Sequence, residues 1–575
     1  REIDVTNVVP AVSSSIGAYA GEFSWGPVDE VRTITSEKEL VGVFGEPKEA
    51  GSDGYNTVLS KKEHFYSAAN FLKYGNNLKV VRASNGIAAG QTGQMLNATT
   101  GSAGILIKNS THYYESNYHS GSAAGSAGLF SARCAGSLGN SLKISMCTSA
   151  NAFSQASVTT VSDSSISVGH TQITVADGTK FVVGDLIAFA NSADVYKISA
   201  ISSNDITFHL NSDSSQGLQV VPTNGSNIAR GWEFASNFTK APGSSPDALA
   251  NSSSLDEIHV IVIDEDGKIT GIPGEILEVF EGLSQASDAK DSEGNSNYYV
   301  DKLRYNSNYI FWTNHDSTTS EAGNTFAVAG AAFVQHTLPL GGSLSHGIDG
   351  YPLSSGAKNT ANTTHFGDAE TQDVDFIIAG PLDGYASGSV VSTLAEATTQ
   401  ANNLIALCEA RKDCMAVISP RKADCVNNSG SESTSVIAFA ETLTSSSYAV
   451  MDSAWCYQYD KYTDNYCYIP SCSHTAGVMA RTDSDRDAWF SPAGFSRGQI
   501  LGITKLSFNP NQAERDALYK KRVNPMVTFP GEGTVLFGDK TLLSSASAFD
   551  RINVRRLFIV MEKAIATAAK FQLFE

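Results

Sequence analysis

Charged residues are scarce in this 575-residue chain. They make up 17% of the sequence, against about a quarter in a typical soluble domain. Hydrophobic residues make up 41%, which is enough for a packed core and argues against a disordered chain. At roughly 150 residues per domain, a chain of this length is expected to form about four domains.

Basic residues in particular are few. The 40 Lys and Arg residues face 59 Asp and Glu residues, which gives a formal net charge of -19. Phosphate binding needs clustered basic side chains, so we expect no nucleic acid partner. No run of eighteen apolar residues occurs either, and we therefore expect no membrane-spanning segment.

Cysteine is also sparse for a chain of this length. A secreted disulfide scaffold would be shorter and denser in cysteine, so the composition favours buried or free thiols in a reducing compartment. Disulfides and a metal site remain open alternatives. Cys456, Cys467, Cys472 and His474 lie close in sequence, but they lack the tight C-x2-C pair that orients thiolates on zinc. The eight cysteines are Cys134, Cys147, Cys408, Cys414, Cys425, Cys456, Cys467 and Cys472.

Catalytic and ligand-binding motifs are missing as well. The segment GTVLFGDKT (533–541) resembles a phosphate-binding loop, but the carboxylate of Asp539 would repel phosphate. The acidic residues 264–266 lack the spacing of a calcium loop, and RTDSDRD (481–487) is typical of solvated carboxylates at a helix end. No G-x-S-x-G or H-E-x-x-H motif occurs. We therefore predict that the chain is not an enzyme and has no catalytic residue, cofactor or metal.

The middle of the chain differs in character from both ends. Between about 90 and 345 the sequence is rich in Ser, Gly and Asn, and strand-like runs alternate with turns. The segment 258–272 predicts a hairpin that turns at Asp266 and Gly267. We expect small antiparallel β-domains here. The other strand-like runs are 104–109, 165–175, 180–190 and 194–210.

The flanking regions have α/β patterns. A helix over 63–74 precedes a strand over 78–83. Further on, strand 373–380, helix 389–413 and strand 414–420 form one β-α-β unit. The predicted fold class is therefore a multidomain α+β protein, in which a mixed α/β platform is interrupted by a long β-rich insertion.

The last seventy residues predict a second α/β region that ends in a long helix. Asn509 and Pro510 are expected to start one helix, and Asp550 is expected to cap the last. The last helix has an apolar stripe: Val554, Leu557, Phe558, Met561, Ile565 and Ala568. It also carries basic residues: Arg551, Arg555, Arg556, Lys563 and Lys570. The basic residues indicate either a solvated helix face or a docking helix for an acidic partner.

The stretch NVVPAVSSSIGAYAG (7–21) contains no charged residue. Pro10 and the serines that follow it interrupt any signal-peptide core, and only Arg1 is basic before it. The stretch is therefore expected to be either a core strand or an arm that binds another molecule.

Four stretches together resemble one known family. They are NVVPAVSSSIGAYAGEFSWGPV near the start, WFSPAGFSRGQI (489–500), ERDALYKKRVNPMVTFPGEGTVLFGDKTL (514–542) and DRINVRRLFIVMEKAI (550–565). In these segments the chain is similar to the tail sheath proteins of contractile-tailed bacteriophages. The β-rich insertion carries little of the resemblance.

The resemblance implies a structural subunit of a virion. Sheath proteins stack as six-subunit rings around a rigid tube and shorten on a baseplate signal, which drives the tube through the host envelope. The implied partners are neighbouring sheath subunits, the tail tube protein, and the baseplate and tail terminator proteins. The implied location is the phage tail, after assembly in the host bacterial cytoplasm.

The resemblance also implies roles for the two ends of the chain. Val8, Val9, Val12 and Ile16 are expected to contact a neighbouring subunit, as an arm that completes that subunit's sheet. The basic residues Arg551, Arg555, Arg556, Lys563 and Lys570 are expected to dock on the tube.

The implied domain layout places variable domains between conserved ones. It comprises an N-terminal arm packing with the C-terminal domain at 1–25, a platform at 26–89 and 346–499, a β-rich insertion at 90–100 and 240–345, an outermost barrel-like insertion at 101–239, and an incomplete inner tube-facing domain at 500–575.

Family members continue beyond an LFE-like segment, and this chain stops inside it at Glu575. We therefore expect a sequence truncated at its C terminus. Two alternatives remain open at this point. One is the sheath of a related contractile injection system, such as a tailocin or a type VI-like secretion system. The other is a secreted β-rich protein that binds or hydrolyses glycans.

Overall fold

A computed structural model describes residues 15–47, 61–85, 94–121, 126–316, 324–326, 333–350, 353–382, 384–386, 389–391 and 393–570. These residues form thirteen α-helices and several β-sheets, so the coarse prediction of a mixed α/β chain is confirmed. The chain divides into two compact units. Unit 1 comprises 1–95, 108–110 and 348–575, and unit 2 comprises 96–107 and 111–347.

The strands are, in chain order, β1 (Gly17–Gly21), β2 (Val31–Ile34), β3 (Leu78–Arg82), β4 (Phe130–Ala132), β5 (Leu142–Cys147), β6 (Ser154–Thr160), β7 (Gln172–Thr174), β8 (Leu186–Phe189), β9 (Val195–Ser202), β10 (Asp205–Leu210), β11 (Asn227–Gly231), β12 (Glu257–Asp264), β13 (Glu275–Ser284), β14 (Ile310–Trp312), β15 (Leu340–Ser343), β16 (Phe376–Ile378), β17 (Gly384–Ala386), β18 (Ser389–Val391), β19 (Met415–Ile418), β20 (Ala449–Met451), β21 (Trp455–Asp460), β22 (Asn465–Pro470), β23 (Lys505–Leu506), β24 (Met526–Phe529) and β25 (Gly533–Leu536).

The α-helices are α1 (Glu37–Phe44), α2 (Lys61–Ala69), α3 (Ser110–Glu115), α4 (Ala150–Phe153), α5 (Pro246–Ala250), α6 (Tyr299–Asn306), α7 (Ser355–Phe366), α8 (Leu394–Arg411), α9 (Lys422–Cys425), α10 (Glu432–Thr442), α11 (Cys472–Asp485), α12 (Gln512–Lys520) and α13 (Ile552–Lys570). Within the described part of the chain, no helix is long and apolar enough to cross a membrane.

Unit 1 is built on a six-stranded sheet in the order β2-β3-β1-β16-β19-β20. All neighbours pair in parallel except β2, which pairs antiparallel with β3. Alternate side chains of each strand point to opposite faces, and two apolar cores result. Helices α7, α8 and α10 contribute to one core, and α2, α11 and α13 contribute to the other. The sheet is therefore the central layer of a platform with helices on both faces.

The charge-free stretch near the start of the chain supplies an inner strand of this sheet. Every residue of β1 is buried, and the strand lies between β3 and β16. A Cβ added at Gly17 would lie 2.9 Å from the side chains of Leu78 and Phe71, so the small residues allow close packing. Part of the predicted arm, 1–25, is thus a core strand. This position explains why the stretch has no charged residue, because parallel strands buried on both faces are apolar.

The predicted β-α-β unit is present, with β16 and β19 parallel and α8 between them in sequence. The predicted start of its helix at 389 was wrong. Residues 389–391 instead form β18, which pairs with β17, and Thr393 caps α8 through a hydrogen bond from Glu396 N to Thr393 Oγ1.

The predicted tight hairpin turn at Asp266 and Gly267 was also wrong. Strand β12 pairs with β13, which begins only at residue 275, so the two strands are joined by a longer loop. That loop folds around the Asp264 carboxylate, which accepts hydrogen bonds from the backbone N–H groups of Ile269 and Thr270 at 2.9 and 2.7 Å.

Asn511, not Asn509, caps helix α12. Its side chain accepts a hydrogen bond from Glu514 N, and the Glu514 carboxylate accepts one from Asn511 N. Asn509 instead pairs through its amide with the backbone of Thr528 in β24, at 2.8 and 3.0 Å. Asp550 belongs to a 3-10 turn that precedes α13 rather than capping it.

Unit 2 contains a closed barrel. Six antiparallel strands lie in the order β6-β11-β8-β9-β10-β7, and a bridge between Val161 and Val175 joins the two ends of the sheet. Hydrogen bonds from Ser162 N to Thr174 O and from Ala176 N to Thr160 O, both 3.0 Å, complete the closure. A second sheet, in the order β13-β12-β5-β15, contains the fully buried strand β12.

A buried carboxyl group lies at the end of β20 in unit 1. Asp452 is fully buried, and its carboxyl group accepts hydrogen bonds from the hydroxyls of Ser419 at 2.9 Å and Thr475 at 3.1 Å. These donors are neutral and do not offset the loss of hydration. Burial therefore raises the pKa of Asp452 to about 7.

We expect this carboxyl to make unit 1 less stable as the pH rises. The folded pKa of Asp452 lies above the ordinary value of 3.8, so its stabilising contribution is complete below about pH 4 and is lost as the pH approaches 7. The Asp452→Asn variant should therefore be more stable than the native chain at pH 8, by roughly 2–4 kcal/mol, and the difference should shrink at pH 5. Urea unfolding at both pH values measures this, with the exposed Asp516→Asn as control. An equal difference at both pH values would contradict it.

Candidate inter-subunit docking region

Helix α13 contains most of the residues predicted to dock on a partner, and its orientation differs from expectation. Its buried residues are Ile552, Arg555, Arg556 and Ile559. The apolar stripe lies on the opposite, outer side of the helix, where Phe558, Met561 and Ile565 are 40%, 47% and 64% exposed and the other three stripe residues are partly buried. An amphipathic helix normally buries its apolar stripe, so this helix is rotated by about half a turn from the usual arrangement.

Arg556 pairs with a buried carboxylate of α11. Its guanidinium donates two parallel hydrogen bonds to Asp483, and the two side chains are only 6% and 2% exposed. The guanidinium also lies over the Phe376 ring, 4.4 Å from its centroid. The expectation that Asp483 is a solvated carboxylate at a helix end was therefore wrong.

Lys563 and the backbone of Ile16 share one buried carboxylate. Lys563 Nζ donates to Asp375 Oδ1 at 2.7 Å, and Ile16 N donates to Asp375 Oδ2 at 2.9 Å. Lys563 also donates to Asp373 at 2.9 Å. Burial acts to lower the pKa of Lys563, but the two neighbouring carboxylates outweigh it and raise that pKa. Asp375 therefore ties the residue preceding β1 to the C-terminal helix.

The remaining basic residues divide into one buried and two accessible ones. Arg555 lies between the rings of Tyr448 and Phe549, 4.3 and 4.0 Å from their centroids. Arg551 is partly exposed and donates to Asp539 Oδ1 at 2.7 Å, a bond that raises the pKa of its guanidinium. Lys570 is exposed at the end of the helix.

The structure thus brings together only part of the predicted site. Arg555, Arg556 and Lys563 make contacts within their own chain, and Ile16 is buried at the edge of β1. Val8, Val9 and Val12 lie outside the described residues. These contacts test neither the predicted contact of the arm residues with a neighbouring subunit nor the predicted docking of the basic residues on the tube, and both stay predictions.

Sequence reasoning missed the acidic partners of the helix, Asp375 and Asp483. Asp375 lies at the start of the predicted strand 373–380, and an acidic residue next to a buried strand was a usable signal. Asp483 gave no local signal, because its partner is 73 residues away along the chain.

Two family models match the sequence. One describes the phage tail sheath protein central domain and matches residues 370–542. The other describes the N-terminal region of domain III of the tail sheath protein Gp18 and matches residues 14–83. Both matches lie in ranges assigned to unit 1.

Curated relatives match along the whole chain. The tail sheath protein of Vibrio phage KVP40 is 29% identical over 622 aligned residues, which cover 100% of this chain and 86% of the relative. That of Enterobacteria phage T4 is 29% identical over 625, with the same coverage. Among solved structures, the sheath tail protein Lin1278 from Listeria innocua matches with a TM-score of 0.47 and 12% identity, over 98% of this chain and 79% of that one.

The family models and the curated relatives confirm the resemblance inferred from the sequence. The matched family is structural rather than enzymatic, which also confirms that the chain is not an enzyme.

Proposed function

We propose that this chain, which is related along its full length to the tail sheath proteins of contractile-tailed phages, is a sheath subunit that polymerises as six-membered rings around a tail tube. Contraction of the rings drives the tube through the host envelope. The observation that carries the proposal is the 29% identity to tail sheath proteins over the entire chain. Its further partners are the baseplate and tail terminator proteins, and its place of assembly is the cytoplasm of the host bacterium.

We place the inter-subunit arm in residues 1–14. This range includes Val8, Val9 and Val12, whose side chains suit a strand added to a neighbour's sheet. The range precedes Ile16, which is fixed by the hydrogen bond from its N–H to Asp375. An arm that starts at a rigid point lets subunits move as rigid bodies while the lattice stays connected.

We place the tube-docking surface on the outer face of α13. Because Arg555, Arg556 and Lys563 are engaged within the chain, the proposal rests on the accessible groups of the helix. These are the apolar side chains of Phe558, Met561 and Ile565, with the charges of Arg551 and Lys570 near the two ends. An exposed apolar strip of this kind is typical of an interaction surface, and the flanking positive charges favour an acidic partner.

The Ile565→Glu variant tests the function and the docking surface together. Co-expressed with the tail tube protein of the same virus, the full-length subunit should form sheathed tubes visible by electron microscopy. The variant should leave the tubes bare, because burying an unpaired carboxylate in an apolar interface is costly. Ile565 is 64% exposed, so its replacement should change the melting temperature little.

The matched control is Ile272→Glu in unit 2, at a side chain that is 60% exposed. It should assemble normally. Normal sheathed tubes with Ile565→Glu in the full-length subunit would exclude α13 as the docking surface, whereas absence of sheath with the unchanged full-length subunit would contradict the proposed function itself.

A further inference from the structure

Two buried cysteines of unit 1 have their sulfur atoms in contact. Cys408 lies in the last turn of α8, and Cys414 immediately precedes β19. Their Sγ atoms are 3.6 Å apart, and both residues are completely buried. A disulfide bond measures about 2.05 Å, so the two atoms need to approach by only about 1.5 Å to bond.

The turn that joins the two cysteines is held firmly. Lys412 has a φ of 66°, and its N–H donates to the Cys408 carbonyl at 2.8 Å, which ends the helix. The Arg411 guanidinium donates to Asp413 at 2.7 and 2.8 Å and to the Gln372 carbonyl at 2.8 Å. The contact between the two sulfurs is thus fixed by the fold of this corner.

Other described cysteines lie next to oxygen atoms. Cys456 Sγ is 3.2 Å from the Ser471 hydroxyl, Cys425 Sγ is 3.7 Å from the Ser453 carbonyl, and Cys147 Sγ is 3.4 Å from the Ser149 carbonyl. The contact between Cys408 and Cys414 differs from these three contacts because it brings together two sulfur atoms, which are the atoms that a disulfide joins.

We propose that Cys408 and Cys414 are a redox modification site, which forms an intrachain disulfide on exposure to a low-molecular-weight disulfide such as oxidised glutathione. When a local opening of this turn admits glutathione, one cysteine loses its proton and attacks a glutathione sulfur, which breaks the glutathione disulfide and releases one glutathione thiolate. The second cysteine then loses its proton, attacks the protein sulfur of the mixed disulfide and releases the second glutathione. Two protein thiols are oxidised, one glutathione disulfide is reduced, and the two released thiolates take up the two protons.

The reaction is expected to be slow in both directions. Burial raises the pKa of the Cys408 thiol well above its usual value, so the reactive thiolate is rare. The same burial shields the product from reductants. If the chain acts as the proposed sheath subunit, the pair is reduced during assembly in the cytoplasm and oxidises after release of the virion into an oxidising medium. That biological setting rests on the proposed function, whereas the chemistry does not.

Trypsin provides a specific test, because it cleaves after Arg411 and Lys412, between the two cysteines. The resulting peptides 359–411 and 413–421 contain one cysteine each. After incubation of the native chain with oxidised glutathione, alkylation and digestion, mass spectrometry should find these two peptides joined. The joined pair should be absent from Cys414→Ala and retained in the control Cys425→Ala, which removes another buried thiol.

Oxidation of the urea-unfolded chain in the same buffer verifies that the reagent is competent. If the unfolded chain oxidises and the folded chain keeps both thiols free, the proposal is overturned. Linkage of Cys408 to any cysteine other than Cys414 would overturn it as well. The oxidised native chain should also melt a few degrees above oxidised Cys414→Ala. None of these measurements requires sheath assembly, so their failure is distinct from failure of the proposed function.

Discussion

The Arg556→Glu variant is expected to lose about 3–5 kcal/mol of folding free energy, the cost of breaking a buried ion pair. The substitution removes the guanidinium that neutralises Asp483 and puts a second carboxylate beside it, in a site where both native side chains are almost fully buried. It also removes the cation from the face of the Phe376 ring. Equilibrium unfolding in urea measures the loss.

Two further variants make this result specific. Lys570→Glu reverses an exposed charge on the same helix and should change the unfolding free energy by less than about 0.5 kcal/mol. Combining Arg556→Glu with Asp483→Arg restores opposite charges and should recover part of the loss. An unfolding midpoint for Arg556→Glu equal to that of the native chain would refute the buried pair.

The same geometry decides how the docking helix can be tested. Reversal of Arg556 or Lys563 would disturb the fold of unit 1 and any contact with a tube together, since both side chains bind buried carboxylates. Changes at Lys570 or at the exposed apolar stripe separate the two effects.

Removal of residues 1–14 from the full-length subunit is expected to abolish sheath assembly while leaving the fold of unit 1 intact. The proposed arm ends before Ile16, so the deletion keeps β1 and the hydrogen bond to Asp375. Circular dichroism should show an unchanged melting transition, and electron microscopy after co-expression with the tube protein should show bare tubes. Normal sheaths from the shortened chain would contradict the proposal that residues 1–14 are the inter-subunit arm.

Removal of residues 1–21 is the matched comparison and should have a different outcome. It deletes β1 from between β3 and β16, and each of these two strands loses the backbone pairing on the side that faced β1. Unfilled space and unpaired backbone groups in the middle of the platform should prevent unit 1 from folding. A cooperative native-like transition in this second chain would contradict the placement of β1.

Local sequence patterns predicted the helices and strands of unit 1 better than they predicted the residues that those helices and strands contact. The β-α-β unit around α8 could be predicted because a buried strand and an amphipathic helix each leave a short periodic signal. The cap of α12 could also have been found, since Glu514 stands three residues after Asn511, as the capping box requires, and five after Asn509. Here the correct information was present and the wrong asparagine was chosen.

The orientation of α13 could not be obtained in this way. The apolar stripe predicts which face enters a core only if the buried partners are apolar. Two of the partners of this helix are carboxylates, Asp375 and Asp483, far away in the sequence. Their effect appears only when the fold brings them together. The opening stretch was ambiguous for a related reason, because small neutral residues suit an inner strand as well as an arm.

The barrel of unit 2 begins and ends at one point. Ser154, the first residue of β6, is the pairing partner of Gly231, the last residue of β11. A segment whose entry and exit are neighbours can be exchanged for another without stretching the chain that carries it. This junction is therefore a natural place to graft a foreign peptide or a whole reporter domain for display on the protein.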